Sequence, residues 1–429
     1  MKSALRRAIG WLYPGLKVKR WLILLTIGLA ALSLGTLLIA NLTVFDLIGS
    51  LGGPRQATEL GIVAALVGVL AVGVALHQLV RSVASALHPE ADRRLVDLML
   101  NQRRLQVGPR VVAIGGGTGM STLLRGLKRY TTNIVAVATV ADDGGSSGRL
   151  RADMNVPAPG DIRNCLVALA DSEPLMTELL QYRFNGQAEG LNGHSFGNLL
   201  IAALTEITGD FELAIRETSR VLAIRGRVLP PTASSVTLCA KMTNGEIVRG
   251  ESAITAAGKQ IDYVYLNPSD PAGIPEATQA IEDADLIVIG PGSTFTSVVP
   301  NFLVPDVLNA VQASKATKVF VCNIMTQPGE TTGFTAADHI RAIQRHTDEL
   351  PFDYVLMNSA QIDEQVLERY RSAGADAVEP DYTEVARLGV IPLRADVVGL
   401  LPDGRVRHDA DAVADRLIDL LEERAPVIV

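Results

Sequence analysis

Glycine-rich loops set behind apolar runs carry the chemical signal in this sequence. The stretch "VVAIGGGTGMSTLLRGLKRY" runs from Val111 to Tyr130 and places Gly115, Gly116, Gly117, Thr118 and Gly119 between an apolar run and a helical pattern. Glycine lets a backbone turn with positive φ and approach an anion closely. The helix that follows, with Thr118 or Ser121 as its cap, offers unpaired N–H groups and a partial positive charge. Phosphate binding is the chemistry this implies, although a tight strand–helix turn that binds nothing uses the same residue type. No Gly-Lys-Ser/Thr closes the loop, so it is not a Walker loop. Gly115 and Gly117 fit a dinucleotide fingerprint, but Met120 stands at the third glycine.

Further segments repeat the theme. In "ATVADDGGSSGRLR", Asp142 and Asp143 end a strand pattern, where open α/β sheets bind ligands. An acid at that spacing takes a ribose hydroxyl. The pair could equally hold Mg²⁺, which uses one or two carboxylates plus substrate phosphates, with Asp142 the metal candidate. Gly144, Gly145, Ser146, Ser147 and Gly148 read as a flexible, amide-rich loop. In "PAPGDIRNCLVALAD", Asp161 reads as an N-cap, with Arg163 and Asn164 in the first turn. Arginine is unfavourable near a helix N-terminus unless it faces an anion. In "GLNGHSFGNLLIAAL", His194, Ser195 and Asn198 precede an apolar helix; a Ser–His hydrolase pair is the rival reading, but the Gly-x-Ser-x-Gly elbow is absent. Gly290, Gly292 and Ser293 follow a strand in "DLIVIGPGSTFTSVVPNFL". Asn323 and Thr326, with Gln327, Gly329 and Glu330, form a polar cluster suited to a sugar or base.

These loops need a scaffold. Strand-type runs at Val111–Ile114, Ile134–Val140, Leu286–Ile289, Val319–Asn323 and Tyr354–Met357 are nearly all apolar, as expected of parallel strands buried on both faces. Helical patterns alternate with them at Ser121–Tyr130, Asp161–Ala170, Phe196–Thr208, Glu212–Leu222, Pro305–Ala313, Ala336–Arg345, Glu364–Ala373 and Ala410–Glu423. This predicts an α/β, Rossmann-like doubly wound sheet. Val236–Val248, with Asn244-Gly245 inside, predicts a small antiparallel insert.

The first hundred residues differ. Trp21–Phe45 and Leu60–Val80 carry no charged residue, and each can span ~30 Å of hydrocarbon at ~1.5 Å per residue. A transmembrane hairpin is expected; a signal peptide for the first run and buried core helices are the alternatives. Lys2, Arg6, Arg7, Lys17, Lys19 and Arg20 precede it and Arg81, Arg93, Arg94, Arg103 and Arg104 follow it, which puts both ends in the cytoplasm. The organisation expected is residues 1–81 as basic N-terminus and hairpin, 82–108 as helical stalk, and 109–429 as the α/β body. A net charge of −7 disfavours nucleic acid as a partner. Cys165, Cys239 and Cys322 are far apart and suggest neither disulfides nor a zinc site.

Taken in order, "GGGTG", "ATVADDGGSSGRLR", "PGDIRN", "GHSFGN", "GPGSTFTSVVPNFL" and "CNIMTQPGET" resemble the YvcK/CofD-like, or gluconeogenesis-factor-like, family over roughly residues 110–425. The resemblance implies a site for uridine-diphosphate sugars such as UDP-N-acetylglucosamine or UDP-glucose, and a role in cell shape and envelope synthesis on gluconeogenic carbon. It places Tyr370 and Arg407 at positions implicated in sugar-nucleotide binding, and Ala410 where some relatives carry a phosphorylatable threonine. The leading expectation is a membrane-tethered UDP-sugar sensor acting through a cell-envelope protein partner. The rivals are a Mg²⁺-dependent phospholactate-transferase-type enzyme and an NAD-dependent oxidoreductase. Self-association is expected, as for many Rossmann-like binders.

Overall fold

The computed structural model describes residues 18–39, 54–87, 103–154, 156–171, 174–185, 190–401 and 403–424. The chain divides into two compact units, residues 1–103 and 104–429.

The N-terminal unit is a pair of antiparallel helices, α1 (Val18–Ile39) and α2 (Pro54–Leu87). Arg20–Ile39 and Thr58–Leu79 are long and apolar enough to cross a membrane. Glycines let the two backbones touch. A Cβ at Gly35 would stand 2.6 Å from Ala65 N and 2.7 Å from Gly61 O, and one at Gly68 would stand 2.6 Å from Leu32 N. Small residues at a helix seam serve this packing in lipid. Away from the seam, Leu66 and Leu70 are exposed. The loop expected at Gly52–Pro54 lies largely outside the described residues, as does most of the expected stalk, residues 88–102; α2 itself runs on through residue 82 to Leu87.

The C-terminal unit is built on strands β1 (Val111–Gly115), β2 (Ile134–Ala138), β3 (Arg227–Leu229), β7 (Leu286–Ile289), β8 (Thr317–Val321), β9 (Tyr354–Asn358) and β10 (Ile391–Ala395). Between β3 and β7 the chain makes β4 (Thr237–Met242), β5 (Ile247–Arg249) and β6 (Ile261–Asn267). The seven strands form one sheet in the order β10-β9-β8-β7-β1-β2-β3, and every pair in it is parallel. In register, Val111 faces Ile134 on one side and Leu286 on the other. From β1 the chain builds outward to β3, then returns to β1's other side to build β7 to β10. The strand order therefore reverses between β1 and β7, and a crevice opens there at the carboxyl ends. The expected insert is a separate three-stranded antiparallel sheet, β5-β4-β6, rather than an edge of the main one. A last hairpin pairs β11 (Val398–Leu400) with β12 (Val406–His408).

The helices that frame the site are α3 (Gly117–Leu127), α4 (Gly145–Met154), α5 (Gly160–Leu169), α6 (Pro174–Gln181), α7 (Phe196–Thr208), α8 (Phe211–Val221) and α9 (Glu251–Ala257). Three local expectations are corrected. Gly144–Gly148 is not a flexible loop, because α4 begins at Gly145, with Ser146 and Ser147 buried. Helix α3 is capped by Gly116 without a side-chain bond, not by Thr118 or Ser121; the Ser121 hydroxyl instead donates back to Gly117 O. Pro159, not Asp161, is the N-cap of α5, because the helix starts two residues earlier than that cap implies and leaves Asp161 in its first turn.

Candidate functional site

The β1–β7 switch point holds a cavity of about 390 Å³, within the range of small-molecule sites. Gly116, Gly117, Thr118 and Gly119 line one wall and Gly292 and Ser293 the other; Asn323 and Thr326 come from the loop after β8, and Tyr370 and Arg407 from residues near the C-terminus. The two glycine loops meet backbone to backbone. A Cβ at Gly119 would stand 2.5 Å from Pro291 O, and one at Gly292 would stand 3.2 Å from Gly116 O. Gly119 is thus required for loop contact as much as for any anion. Gly117 has φ 67°, which glycine adopts without strain, and the first turn of α3 lines the cavity, where a helix N-terminus favours an anion.

The walls are braced from outside. Asn301 Nδ2 donates to Gly115 O (3.2 Å) and Gln327 Nε2 to Ser293 Oγ (2.7 Å). Thr326 Oγ1 accepts from the Asp376 N–H at 2.8 Å. The Tyr370 hydroxyl accepts from the Val406 N–H at 2.9 Å, tying the tyrosine to the strand that carries Arg407. His408, next to it, is held below ordinary histidine, at about 4, chiefly by burial; its Nε2 lies 3.1 Å from Cys322 O.

A second cavity, of about 280 Å³, lies at the carboxyl end of β2. Asp142, Gly144, Ser146, Asp161, Arg163, Asn164 and Asn198 line it, together with Arg183, which the sequence did not mark. Arg163 is buried, and Nη1 donates to Ser195 Oγ (2.6 Å) and Asn198 Oδ1 (3.1 Å) while Nη2 donates to Asn164 Oδ1 (2.7 Å). Ser195 caps α7 and accepts from the Asn198 N–H. His194 Nδ1 lies 3.1 Å from Ser146 Oγ, not from Ser195. These contacts spend Ser195 on a cap and an arginine, so the hydrolase pair is not assembled.

Asp161 lines the second cavity and reaches Gly116, which lines the first. Its carboxylate stands so close to Gly116 that a Cβ there would collide with Oδ2. Burial raises its pKa to about 6, against the Gly117 N–H, which favours the charged form. Glu251, at the start of α9, is pushed to about 9 by burial and then by Asp142, Asp161, Glu330 and Asp143. Glu330 is raised by burial; its Oε1 accepts from Thr255 Oγ1 (3.2 Å), and its buried Oε2 lacks a partner. No group of three or more His, Cys, Asp or Glu among the described residues is placed to hold a metal ion.

Five of the expected site residues line neither cavity: Gly115, Asp143, His194, Ser195 and Gly290. Asp143 Oδ1 accepts from the Ser252 N–H (2.8 Å) at the first turn of α9. Sequence reasoning missed Arg183 and Asn301; an isolated arginine and an asparagine inside an apolar stretch carry no local signal.

Parallel strands in this order, with glycine loops facing each other across the switch point, define a Rossmann-like α/β protein with a crevice at the carboxyl ends of its strands. Residues 111–398 match the family described as 2-phospho-L-lactate transferase CofD. The chain is 46% identical over 417 residues to the putative gluconeogenesis factor of a Nostoc species, spanning 95% of this chain and 91% of that protein. It is 48% identical to the gluconeogenesis factor of Bacillus subtilis, over 73% of this chain and 99% of that one. A crystal structure of a UPF0052-family protein from Bacillus halodurans superposes with a TM-score of 0.70 at 47% identity, covering 72% of this chain and 99% of that chain. The chain belongs to the CofD family and, within it, groups with the gluconeogenesis factors. Some relatives match over nearly the whole chain and others over about three quarters of it, so the N-terminal unit is not common to all.

Proposed function

We propose that the protein is a membrane-anchored binder of UDP-sugars, UDP-N-acetylglucosamine or UDP-glucose, that regulates cell-envelope synthesis and cell shape during growth on gluconeogenic carbon. The observation that carries this is the meeting of Gly116–Gly119, Tyr370 and Arg407 in one crevice at the switch point. On this reading the diphosphate lies against the α3 N-terminus, with Arg407 as a charged donor. Asn323 and Thr326 face the rest of the ligand. The apolar hairpin anchors the chain in the cytoplasmic membrane, with the basic flanks and the α/β unit in the cytoplasm. A cell-envelope protein partner would receive the signal.

Titration calorimetry of the full chain in detergent with UDP-N-acetylglucosamine, UDP-glucose and NAD tests this. The expected result is UDP-sugar binding that Arg407→Ala weakens roughly 10- to 100-fold, the worth of one charge-assisted hydrogen bond. Absence of UDP-sugar binding sinks the reading. Mg²⁺-dependent release of nucleoside monophosphate would replace it with a transferase of the kind for which the family is described, with Asp142 as the metal ligand.

A further inference from the structure

The second cavity is built differently from the crevice. Three helices begin on it: α4 through Gly145, Ser146 and Ser147, α5 through Gly160 and Asp161, and α7 through Asn198. Helix N-termini direct unpaired N–H groups and positive potential at whatever lies before them. Two guanidinium groups, Arg163 and Arg183, line the same space. They repel each other, since Arg183 is among the charges that lower the Arg163 pKa, after burial. Arg163 is only 9% exposed, and its buried Nε lacks a partner. Asp161 and Asp142 offset part of this charge, and an anion held against Arg183 and the helix ends would offset the rest.

Two acids qualify which anion fits. Asp161 is engaged on its far side with the Gly116–Gly117 turn. Asp142 Oδ1 accepts from the Gly144 N–H at 2.7 Å, and its Oδ2 stands at Gly160, where a Cβ would come within 2.8 Å of it. A carboxylate oxygen in an anion site accepts a hydrogen bond from a protonated oxyanion and repels one without a proton. Inorganic phosphate keeps a proton at neutral pH, and a phosphomonoester keeps one in part, its second pKa being about 6; sulfate keeps none.

We propose that this second cavity binds a protonated phosphate group, on inorganic phosphate or a phosphomonoester, as a ligand separate from the one in the crevice. Arg183 and the α4 N-terminus bind the charge, Arg163 fixes Asn198 beside it, and Asp142 accepts a hydrogen bond from the phosphate.

The test is titration of the full chain in detergent with inorganic phosphate, glycerol 3-phosphate and sulfate, without nucleotide and again with saturating UDP-N-acetylglucosamine. The expected result is that one of the two phosphates binds at least about tenfold more tightly than sulfate, with or without nucleotide; the tighter one identifies the source. Arg163→Gln also removes the bonds to Ser195 and Asn198, so the deciding variant is the exposed Arg183→Gln. It should weaken phosphate at least about tenfold and leave UDP-sugar affinity unchanged. Equal affinity for sulfate, loss of phosphate binding when the nucleotide is added, or no effect of Arg183→Gln would each overturn the proposal. The nucleotide-free titration is independent of the UDP-sugar reading, because Arg183 does not line the crevice.

Discussion

Gly115 and Gly119 sit four residues apart in one glycine-rich stretch, yet alanine at the two positions should act in opposite directions. At Gly119 a Cβ would stand 2.5 Å from Pro291 O and 2.9 Å from Pro291 C, both backbone atoms of the facing loop. Ordinary Cβ contacts begin near ~3.4 Å, so the two loops must part by about 0.9 Å; overpacking of this kind costs ~1–3 kcal/mol. A rigid carbonyl argues for the upper half of that range. Alanine inside the first turn of α3 returns up to ~1 kcal/mol of helix propensity, leaving a net loss of about 1–2 kcal/mol. At Gly115, in β1, the nearest atoms to a Cβ are Gly290 Cα and Met120 Sδ at 3.6 Å, which is ordinary contact. Removing backbone freedom there stabilises by ~0.4–1 kcal/mol. The two variants should differ by about 2 kcal/mol. Urea unfolding of residues 104–429 measures this; the Bacillus halodurans relative, 99% of which is matched by 72% of this chain, crystallises without the N-terminal unit. Gly119→Ala should also weaken UDP-sugar binding about tenfold, because parting the loops displaces the α3 N–H groups. Gly115→Ala as destabilising as Gly119→Ala would refute the claim that loop contact, rather than glycine content, sets the requirement.

Asp161→Asn should change the pH dependence of stability. The folded state raises this acid from 3.8 to about 6, worth about 3 kcal/mol at 1.36 kcal/mol per unit. Because the folded chain holds the proton more tightly, wild-type stability falls as pH rises from about 4 to 6. The variant escapes that loss, so its stability relative to wild type should climb by up to ~3 kcal/mol between urea melts at pH 4 and pH 7; a constant difference would contradict the assignment. Ser195→Ala removes the α7 cap and the acceptor of Arg163 Nη1; destabilisation of ~2–4 kcal/mol is expected by denaturation, with UDP-sugar affinity within about twofold of wild type. Deleting residues 1–103 should move the protein from the membrane fraction to the soluble fraction on cell fractionation with UDP-sugar affinity retained; membrane retention would mean the anchor lies elsewhere.

Legibility followed how completely a segment's own residues fix its conformation. Strand β7 falls at Leu286–Ile289 as expected, an apolar run between Asp285 and Gly290. Helix α7 falls at Phe196–Thr208 as expected, because Ser195 caps its start and Gly209, at φ 71°, ends it. Strand β3 went unseen: it is three residues long and lies at the sheet edge, where only pairing with β2 defines it. Strand β10 went unseen because Pro392 and Arg394 interrupt its apolar character, which an edge strand tolerates. Helix α4 contradicts its glycines and serines; bonds from Asn198 Nδ2 to Ser146 Oγ (3.2 Å) and Ser147 Oγ (3.3 Å), some fifty residues away in sequence, stabilise it.

The same distinction governs the site. Residue types pointed to the carboxyl edge of the sheet, where both cavities lie, because glycine loops behind buried strands can end at only one edge of a parallel sheet. What they could not announce is that the edge holds two cavities. Where they approach stands the side chain of Asp161, which reaches from α5 to the turn before α3 and lies against Gly116, forty-five positions earlier. An N-cap reading of Asp161 accounts for its position in the sequence but turns its carboxylate toward its own helix. Once the carboxylate belongs to the neighbouring turn, Arg163 and Asn164 fall on the far side with Asp142, while Gly117 to Gly119 fall on the near side with Tyr370 and Arg407. One acid thus stands where the two cavities approach each other, and its substitution by asparagine keeps that shape while removing its charge.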